Sequence, residues 1–78
     1  MRYFTDSEMR HIAASALRNW YGFGPKEDAV TIVYFEYDGM LVEITCNIGG
    51  IQYIINGHRI ADGSVCISRN ALNVERKC

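Results

Sequence analysis

The sequence has no excess of basic charge. Eight Lys and Arg residues stand against nine Asp and Glu residues, and the net charge of the 78-residue chain is −1 at pH 7. Proteins that hold nucleic acid regardless of its sequence carry clustered positive charge, because they must neutralise phosphates. The composition therefore argues against direct nucleic-acid binding as the main activity.

Long apolar segments are also lacking. No run approaches the roughly 20 residues that span a bilayer, and the opening MRYFTDSEMR has no apolar stretch of the kind a signal peptide contains. These absences predict a cytoplasmic protein with no membrane partner.

The three cysteines, Cys46, Cys66 and Cys78, form no C-x-x-C pair. One disulfide would leave a thiol over, and free thiols in a reducing compartment are the simpler interpretation. Combined with His11 and His58, the cysteines lack the close-pair spacing of structural zinc sites. We expect no metal and no cofactor.

Catalytic motifs are missing as well. Glu36 and Glu43 fall on one predicted sheet face, with Glu43 expected opposite Tyr34 and diagonal to Glu36. A chain this short, with that face open, has little volume for a substrate pocket. The glycines of NIGG and NG precede no helix, so they predict turns rather than phosphate loops. We expect no enzymatic activity.

The clearest local signal that is present is a helix start. TDSE, residues 5–8, is a capping box in which Thr5 and Glu8 each satisfy the other's backbone N–H. Gly22 and Pro25 end the pattern, which predicts a helix over about Asp6–Tyr21. Apolar residues recur at helical spacing and are expected in the core: Met9, Ile12, Ala13, Ala16, Leu17 and Trp20.

The next segments predict a β-hairpin. AVTIVYFEY and MLVEITCN flank Asp38-Gly39, a preferred two-residue type I′ turn. The face expected against the helix pairs Tyr37 with Met40, Phe35 with Val42, Val33 with Ile44, and Thr31 with Cys46.

Further turn signals divide the rest of the chain. NIGG precedes a strand IQYII, Asn56-Gly57 predicts another type I′ turn before HRIA, and Asp62-Gly63 precedes a short strand SVCIS. The tail 69–78 predicts one or two helical turns or a frayed end. Residues 1–78 thus form a single α+β domain, an N-terminal helix packed on an antiparallel meander of four to five strands in two layers.

With one helix, the second sheet face stays open and is the predicted binding surface. Ile32, Tyr34 and Leu41 supply apolar contact area, and Glu36 and Glu43 select a basic partner. The predicted protein-binding residues are Tyr34, Glu36, Leu41 and Glu43, helped by Tyr21 and Phe23.

The segment YGFG, Tyr21–Gly24, is similar to the core of the RNP1 motif of RNA-recognition domains, which alternates glycine with aromatics. It lies at a helix end before Pro25, and the basic residue and aromatic tail of that motif are missing. We interpret it as a helix end with Trp20 in the core and Phe23 folded back.

As a whole-chain profile, the capped helix, the hairpin meander and the near-neutral charge resemble the small phage and mobile-element inhibitors of the anti-CRISPR type. That resemblance implies a non-enzymatic protein in the host cytoplasm. It would bind a host nuclease or CRISPR surveillance complex at a basic surface and block nucleic-acid access or recruitment.

Two alternatives stay open. One is a small nucleic-acid-binding module that uses Arg10, Arg18 and Lys26 beside Tyr21 and Phe23. The other is a structural or assembly subunit that forms a homo-oligomer, of which a homodimer is the simplest.

Overall fold

The computed structural model describes residues 4–58, 67 and 72–77. In these residues one helix lies on one face of a four-stranded antiparallel sheet, which confirms the predicted two-layer α+β fold. The elements are helix α1 (Asp6–Tyr21), a 3₁₀ helix (Glu27–Ala29) and strands β1 (Thr31–Tyr37), β2 (Leu41–Ile48), β3 (Ile51–His58) and β4 (Asn73–Lys77). The strands lie side by side in chain order, as in a meander.

Helix α1 has the predicted bounds because both of its ends are set by local hydrogen bonds. The Thr5 hydroxyl accepts the Glu8 N–H at 3.1 Å, and a Glu8 carboxylate oxygen accepts the Thr5 N–H at 3.0 Å. At the other end Gly22 has a φ of 84° and donates its N–H to the Arg18 carbonyl at 2.8 Å. A left-handed residue of this kind is the usual helix terminator.

The core lies between α1 and the sheet. Its fully buried large side chains include Ile12 and Leu17 from the helix and Ile44 and Ile55 from the sheet. Phe4, just before the cap, packs on Phe35 with ring centroids 5.4 Å apart. No polar side chain among the described residues is buried.

The predicted burial of Trp20 is wrong, and Phe23, which was expected to fold back at the helix end, projects into solvent. Trp20 is 44% exposed and Phe23 is 79% exposed. By angle Trp20 continues the buried stripe of Ala13 and Ala16, but it lies in the last turn, where the cover over the helix is incomplete. The helix end itself is as predicted, so only the side-chain part of that interpretation fails.

The predicted register of the β1–β2 hairpin is also wrong. Tyr37 pairs with Val42 and Phe35 with Ile44, so the turn is centred one residue later than expected, on Gly39-Met40. The reason is the Asp38 carboxylate, which accepts the N–H groups of Met40 at 2.9 Å and Leu41 at 2.8 Å. Each of these two β1 residues thus pairs with a β2 residue two positions later than predicted. A shift of two positions preserves the sheet face, so Tyr37 and Phe35 stay on the core face, whereas Met40 is exposed.

A β-bulge changes the start of β1. Ile32 pairs with Cys46 and Tyr34 with Thr45, which leaves Val33 as an extra residue. Across the bulge Ile32 packs against the core, while Val33 and Tyr34 are both exposed on the open face. The predictions that Val33 and Thr31 face the core and that Ile32 lies on the open face are therefore wrong.

Strand β3 runs through the predicted Asn56-Gly57 turn. Gly57 pairs with Val42 inside the sheet, and a Cβ built on Gly57 would lie 2.2 Å from Ile67 Cγ2. Glycine serves here for close packing, because no side chain fits under Ile67. The turn at NIGG is confirmed, with Ile48 and Ile51 paired on either side of it.

The described part of the tail, residues 72–77, contains a strand and no helix. β4 pairs antiparallel with β3, with Val74 opposite Ile55 and Arg76 opposite Tyr53. The remainder of HRIA after His58, the Asp62-Gly63 turn and the SVCIS strand apart from Ile67 lie outside the described residues.

Candidate functional site: an open acidic sheet face and an aromatic corner

The structure brings four of the predicted binding residues together on the sheet face that α1 leaves uncovered. Tyr34 and Leu41 are 43% and 53% exposed, and Glu36 and Glu43 lie between them on the same face. The bulge adds Val33, which sequence reasoning had assigned to the core. We call these five residues the open-face patch.

Glu36 and Glu43 are direct cross-strand partners. The sequence analysis placed Glu43 opposite Tyr34, and the shifted turn is the reason for the difference. Like charges directly opposite each other in a sheet destabilise it. The patch therefore concentrates negative charge at some expense to the fold.

Tyr34 holds Glu36 in place from the neighbouring position on the same face. Its phenol donates a hydrogen bond to a Glu36 carboxylate oxygen, and this bond raises the pKa of Tyr34 above its usual value. The phenol therefore stays protonated, and the ring is fixed beside the carboxylate pair.

Asp38 extends the acidic area around the turn. Together with Glu36, Leu41 and Glu43 it lines a shallow hollow of about 140 Å³. The backbone N–H groups of Leu41 and Met40 lower the pKa of Asp38, which keeps it ionised near neutral pH. Three carboxylates around one leucine form a surface suited to an Arg or Lys side chain.

The other two predicted residues, Tyr21 and Phe23, lie on the helix layer. The Tyr21 ring meets the Tyr53 ring edge-on, with centroids 6.3 Å apart. Tyr53 pairs with the buried Cys46, so it belongs to the core face of the sheet. The six predicted residues thus divide between two separate surfaces.

We call the second surface the aromatic corner and define it by Trp20, Tyr21, Phe23 and Tyr53. Beside it lies a pocket of about 210 Å³ whose remaining walls come from Leu17, Gly24, Pro25 and Ile48. Sequence reasoning placed Trp20 in the core and gave no role to Tyr53. Only the pairing of β3 with β2 brings Tyr53 to this end of the helix.

Cys46 and His11 lie away from both surfaces, whereas His58 is the cross-strand partner of Leu41 on the open face. Burial raises the pKa of the Cys46 thiol to about 11, and its side chain is inaccessible. His11 contacts the Glu27 carboxylate and so links the 3₁₀ helix to α1. Within residues 4–58, 67 and 72–77, no group of three or more His, Cys, Asp or Glu residues is arranged to hold a metal ion.

No helix among the described residues is long and apolar enough to cross a membrane.

A scan against protein-family models found no match to the chain, and searches of the curated proteins and of the solved structures likewise found no significant match.

Proposed function

We propose that this chain is a non-enzymatic, protein-binding inhibitor that docks its open-face patch on a basic, nucleic-acid-binding surface of another protein. The observation that carries the proposal is the exposure of Val33, Tyr34 and Leu41 around a directly opposed pair of carboxylates. A sheet face that serves only to meet water is usually polar, and contiguous exposed apolar groups mark interaction surfaces.

The size of the face suits this task. A typical stable interface takes roughly 800 Å² from each partner. The molecule measures 31 × 24 × 18 Å, so its broad face alone supplies an area of that order. Tyr34 is the natural anchor, because its ring is exposed and already ordered by its bond to Glu36.

Charge selects the partner. Glu36, Asp38 and Glu43 repel phosphate and attract arginine and lysine side chains. The fold itself gains nothing from the opposed glutamates, since their repulsion weakens the β1–β2 pairing. A basic partner supplies the missing counter-charge, and the repulsion then becomes part of the binding energy.

Inhibition follows from occupancy. A protein surface rich in Arg and Lys that this domain covers is no longer free to hold DNA or RNA. A host nuclease or a CRISPR surveillance complex, the target class implied by the whole-chain resemblance, presents a surface of this kind.

The test is capture from a nuclease-treated bacterial lysate by immobilised wild-type protein and by two variants. Tyr34→Ala removes the anchor, and Glu36→Lys combined with Glu43→Lys reverses the charge pair. We expect a retained protein that both variants lose and that added double-stranded DNA displaces from the wild type.

Glu27→Lys combined with Asp28→Lys is the matched control, because it makes the same charge change in the 3₁₀ helix on the other layer. It should retain the captured protein. Equal retention by all variants, or a captured protein that added DNA does not displace, would rule out the open-face patch as the inhibitory surface.

A further inference from the structure

The aromatic corner is a second unused surface, on the layer opposite to the open-face patch. Trp20 and Tyr21 are 44% and 41% exposed, and Phe23 is 79% exposed. The core does not need these three rings, because α1 already packs through Ile12, the alanines and Leu17.

The loop after α1 gives the corner a defined shape. Gly24 lies so close to the last helical turn that a Cβ there would be 3.1 Å from the N, Cα and Cβ atoms of Arg18. The loop therefore folds back along the helix and leaves Phe23 projecting beside the 210 Å³ pocket. Pockets for drug-sized ligands measure roughly 300–1,000 Å³, so this one accepts a single ring system.

Two arginines neighbour residues that line the pocket, Arg18 beside Gly24 and Arg76 opposite Tyr53. Arg18 lies in the last turn of α1, and Arg76 is the cross-strand partner of Tyr53 on the same sheet face. Neither forms an ion pair or side-chain hydrogen bond with any other residue that the structure describes. The acidic 3₁₀ helix begins at Glu27, two residues after Pro25, and the Glu27 carboxylate contacts His11.

A pocket lined in part by Tyr21, Phe23 and Tyr53, with two arginines nearby, matches a nucleobase that carries a phosphate. We propose that the aromatic corner binds single-stranded nucleic acid, with one base stacked against Phe23 and Tyr53 and the neighbouring phosphates held by Arg18 and Arg76. Base stacking on aromatics is the general way in which proteins hold single strands without reading their sequence.

The net charge of −1 does not oppose this site, because the acidic groups of the open-face patch lie on the other layer. It does limit the affinity, since only two cations take part. A double strand keeps its bases stacked internally and has no base to offer the pocket. A second copy of the chain or an apolar peptide would leave both arginines without a counter-charge.

Trp20 is the only tryptophan in the chain and reports on the corner directly. The experiment is a fluorescence titration of the protein with a short single-stranded oligothymidylate, with thymidine monophosphate and with a double-stranded oligonucleotide. We expect saturable quenching by the single strand, weaker binding of the mononucleotide, and no response to the duplex. The logarithm of the single-strand affinity should fall against the logarithm of salt concentration with a slope of about −1.4, roughly −0.7 for each of two phosphates.

Phe23→Ala should weaken single-strand binding by roughly 5- to 150-fold, the range for the loss of one stacking contact. Phe23 is mostly exposed, so this variant keeps the fold. Arg76→Glu should abolish the salt-sensitive part of the binding. Lys77→Glu is its matched control, because the next residue of β4 points to the other sheet face, and it should bind normally.

Three results would overturn the proposal. The first two are the absence of quenching and equal binding of duplex and single strand. The third is a wild-type protein with twice the molar mass of the monomer, together with a Phe23→Ala variant that is monomeric. The last result would assign the corner to a second copy of the chain. Tyr34→Ala should leave this titration unchanged, so the outcome does not depend on the inhibitory role of the open-face patch.

Discussion

At the scale of single residues, Cys46 is the side chain whose chemistry the fold changes most. Its thiol is fully buried between α1 and the sheet, and desolvation of the thiolate raises its pKa from 9.0 to about 11. The thiolate is the reactive form of cysteine, so Cys46 is a packing residue here and not a nucleophile.

This pKa shift predicts a loss of stability at alkaline pH. The folded thiol keeps its proton up to about pH 11, whereas the unfolded thiol loses it near pH 9. The contribution of the Cys46 thiol to the free energy of unfolding is therefore complete below pH 9 and is lost as the pH rises through 11. The free energy of unfolding should fall by roughly 2–3 kcal/mol over this range. Urea unfolding curves recorded between pH 8 and 11, at intervals of about one pH unit, measure this loss. Cys46→Ala should remove this part of the pH dependence, and an unchanged slope in that variant would contradict the assignment.

Gly57 gives a second residue-scale prediction. Gly57→Ala should lower the free energy of unfolding by about 1–3 kcal/mol, because the new methyl group meets Ile67. A double-mutant cycle with Ile67→Ala isolates the clash. The cost of Gly57→Ala should shrink in the Ile67→Ala background. A cost that is equal in both backgrounds would show that backbone conformation, and not packing, requires the glycine.

Residues governed by their immediate neighbours were predictable from the sequence, and residues governed by distant contacts were not. The capping box and Gly22 act within four residues, so the bounds of α1 follow from local chemistry. Asn56-Gly57 carries the same local signal as a type I′ turn, but the side chain that occupies the space over Gly57 comes from ten residues later. Trp20 has the angular position on α1 that the core residues share, but it lies in the last helical turn, where the cover over the helix is too incomplete to bury it.

At the scale of elements, the β1–β2 hairpin combines a well-satisfied turn with a repulsive pairing. Asp38 accepts two backbone N–H groups and sets the register, and that register places Glu36 directly opposite Glu43. The turn therefore determines the charge distribution of the open face.

Glu43→Gln should stabilise the isolated domain by about 0.2–1 kcal/mol, because it removes the like-charge pair and keeps the side-chain shape. The same change should weaken binding to a basic partner. Thermal unfolding checks the first effect and capture from lysate the second. Glu75→Gln is the control, since it removes one charge from the same face at a position opposite Ile54. A Glu43→Gln variant no more stable than Glu75→Gln would contradict the repulsion.

The alternation of apolar residues was enough to predict both strands of this hairpin. It also predicted which sheet face is buried in the half of the hairpin next to the turn. It was not enough to predict the bulge, because an extra residue in one strand leaves the local pattern of Ile32, Val33 and Tyr34 unchanged. β4 was missed for a related reason. Its sequence NVERK has one buried residue, Val74, and its strand conformation comes from pairing with β3.

At the scale of the whole molecule, the open-face patch and the aromatic corner carry charges of opposite sign. The open-face patch carries Glu36 and Glu43, and the aromatic corner has Arg18 and Arg76 nearby. Such a separation orients the domain as it approaches a charged partner. Tyr21 and Phe23, which the sequence analysis grouped with Tyr34 as binding residues, lie on the helix layer.

Changing the charges of the open-face patch and removing its aromatic anchor should affect different rate constants of binding. Glu36→Lys combined with Glu43→Lys should chiefly slow association with the captured partner, and Tyr34→Ala should chiefly speed dissociation. Surface plasmon resonance at low and high salt distinguishes the two, because only the charge effect diminishes with salt. Circular dichroism should show the wild-type fold in both variants. A charge variant altered only in its dissociation rate would contradict electrostatic steering.

The bulge in β1 has a consequence for aggregation. β1 is an outer strand of the sheet, and a regular outer strand offers its free N–H and C=O groups as a template on which further chains stack into fibres. The extra Val33 interrupts the even spacing of those groups and bends the strand. An incoming strand would therefore find only short stretches in register on either side of the bulge, which opposes amyloid-like growth from this edge of the described sheet.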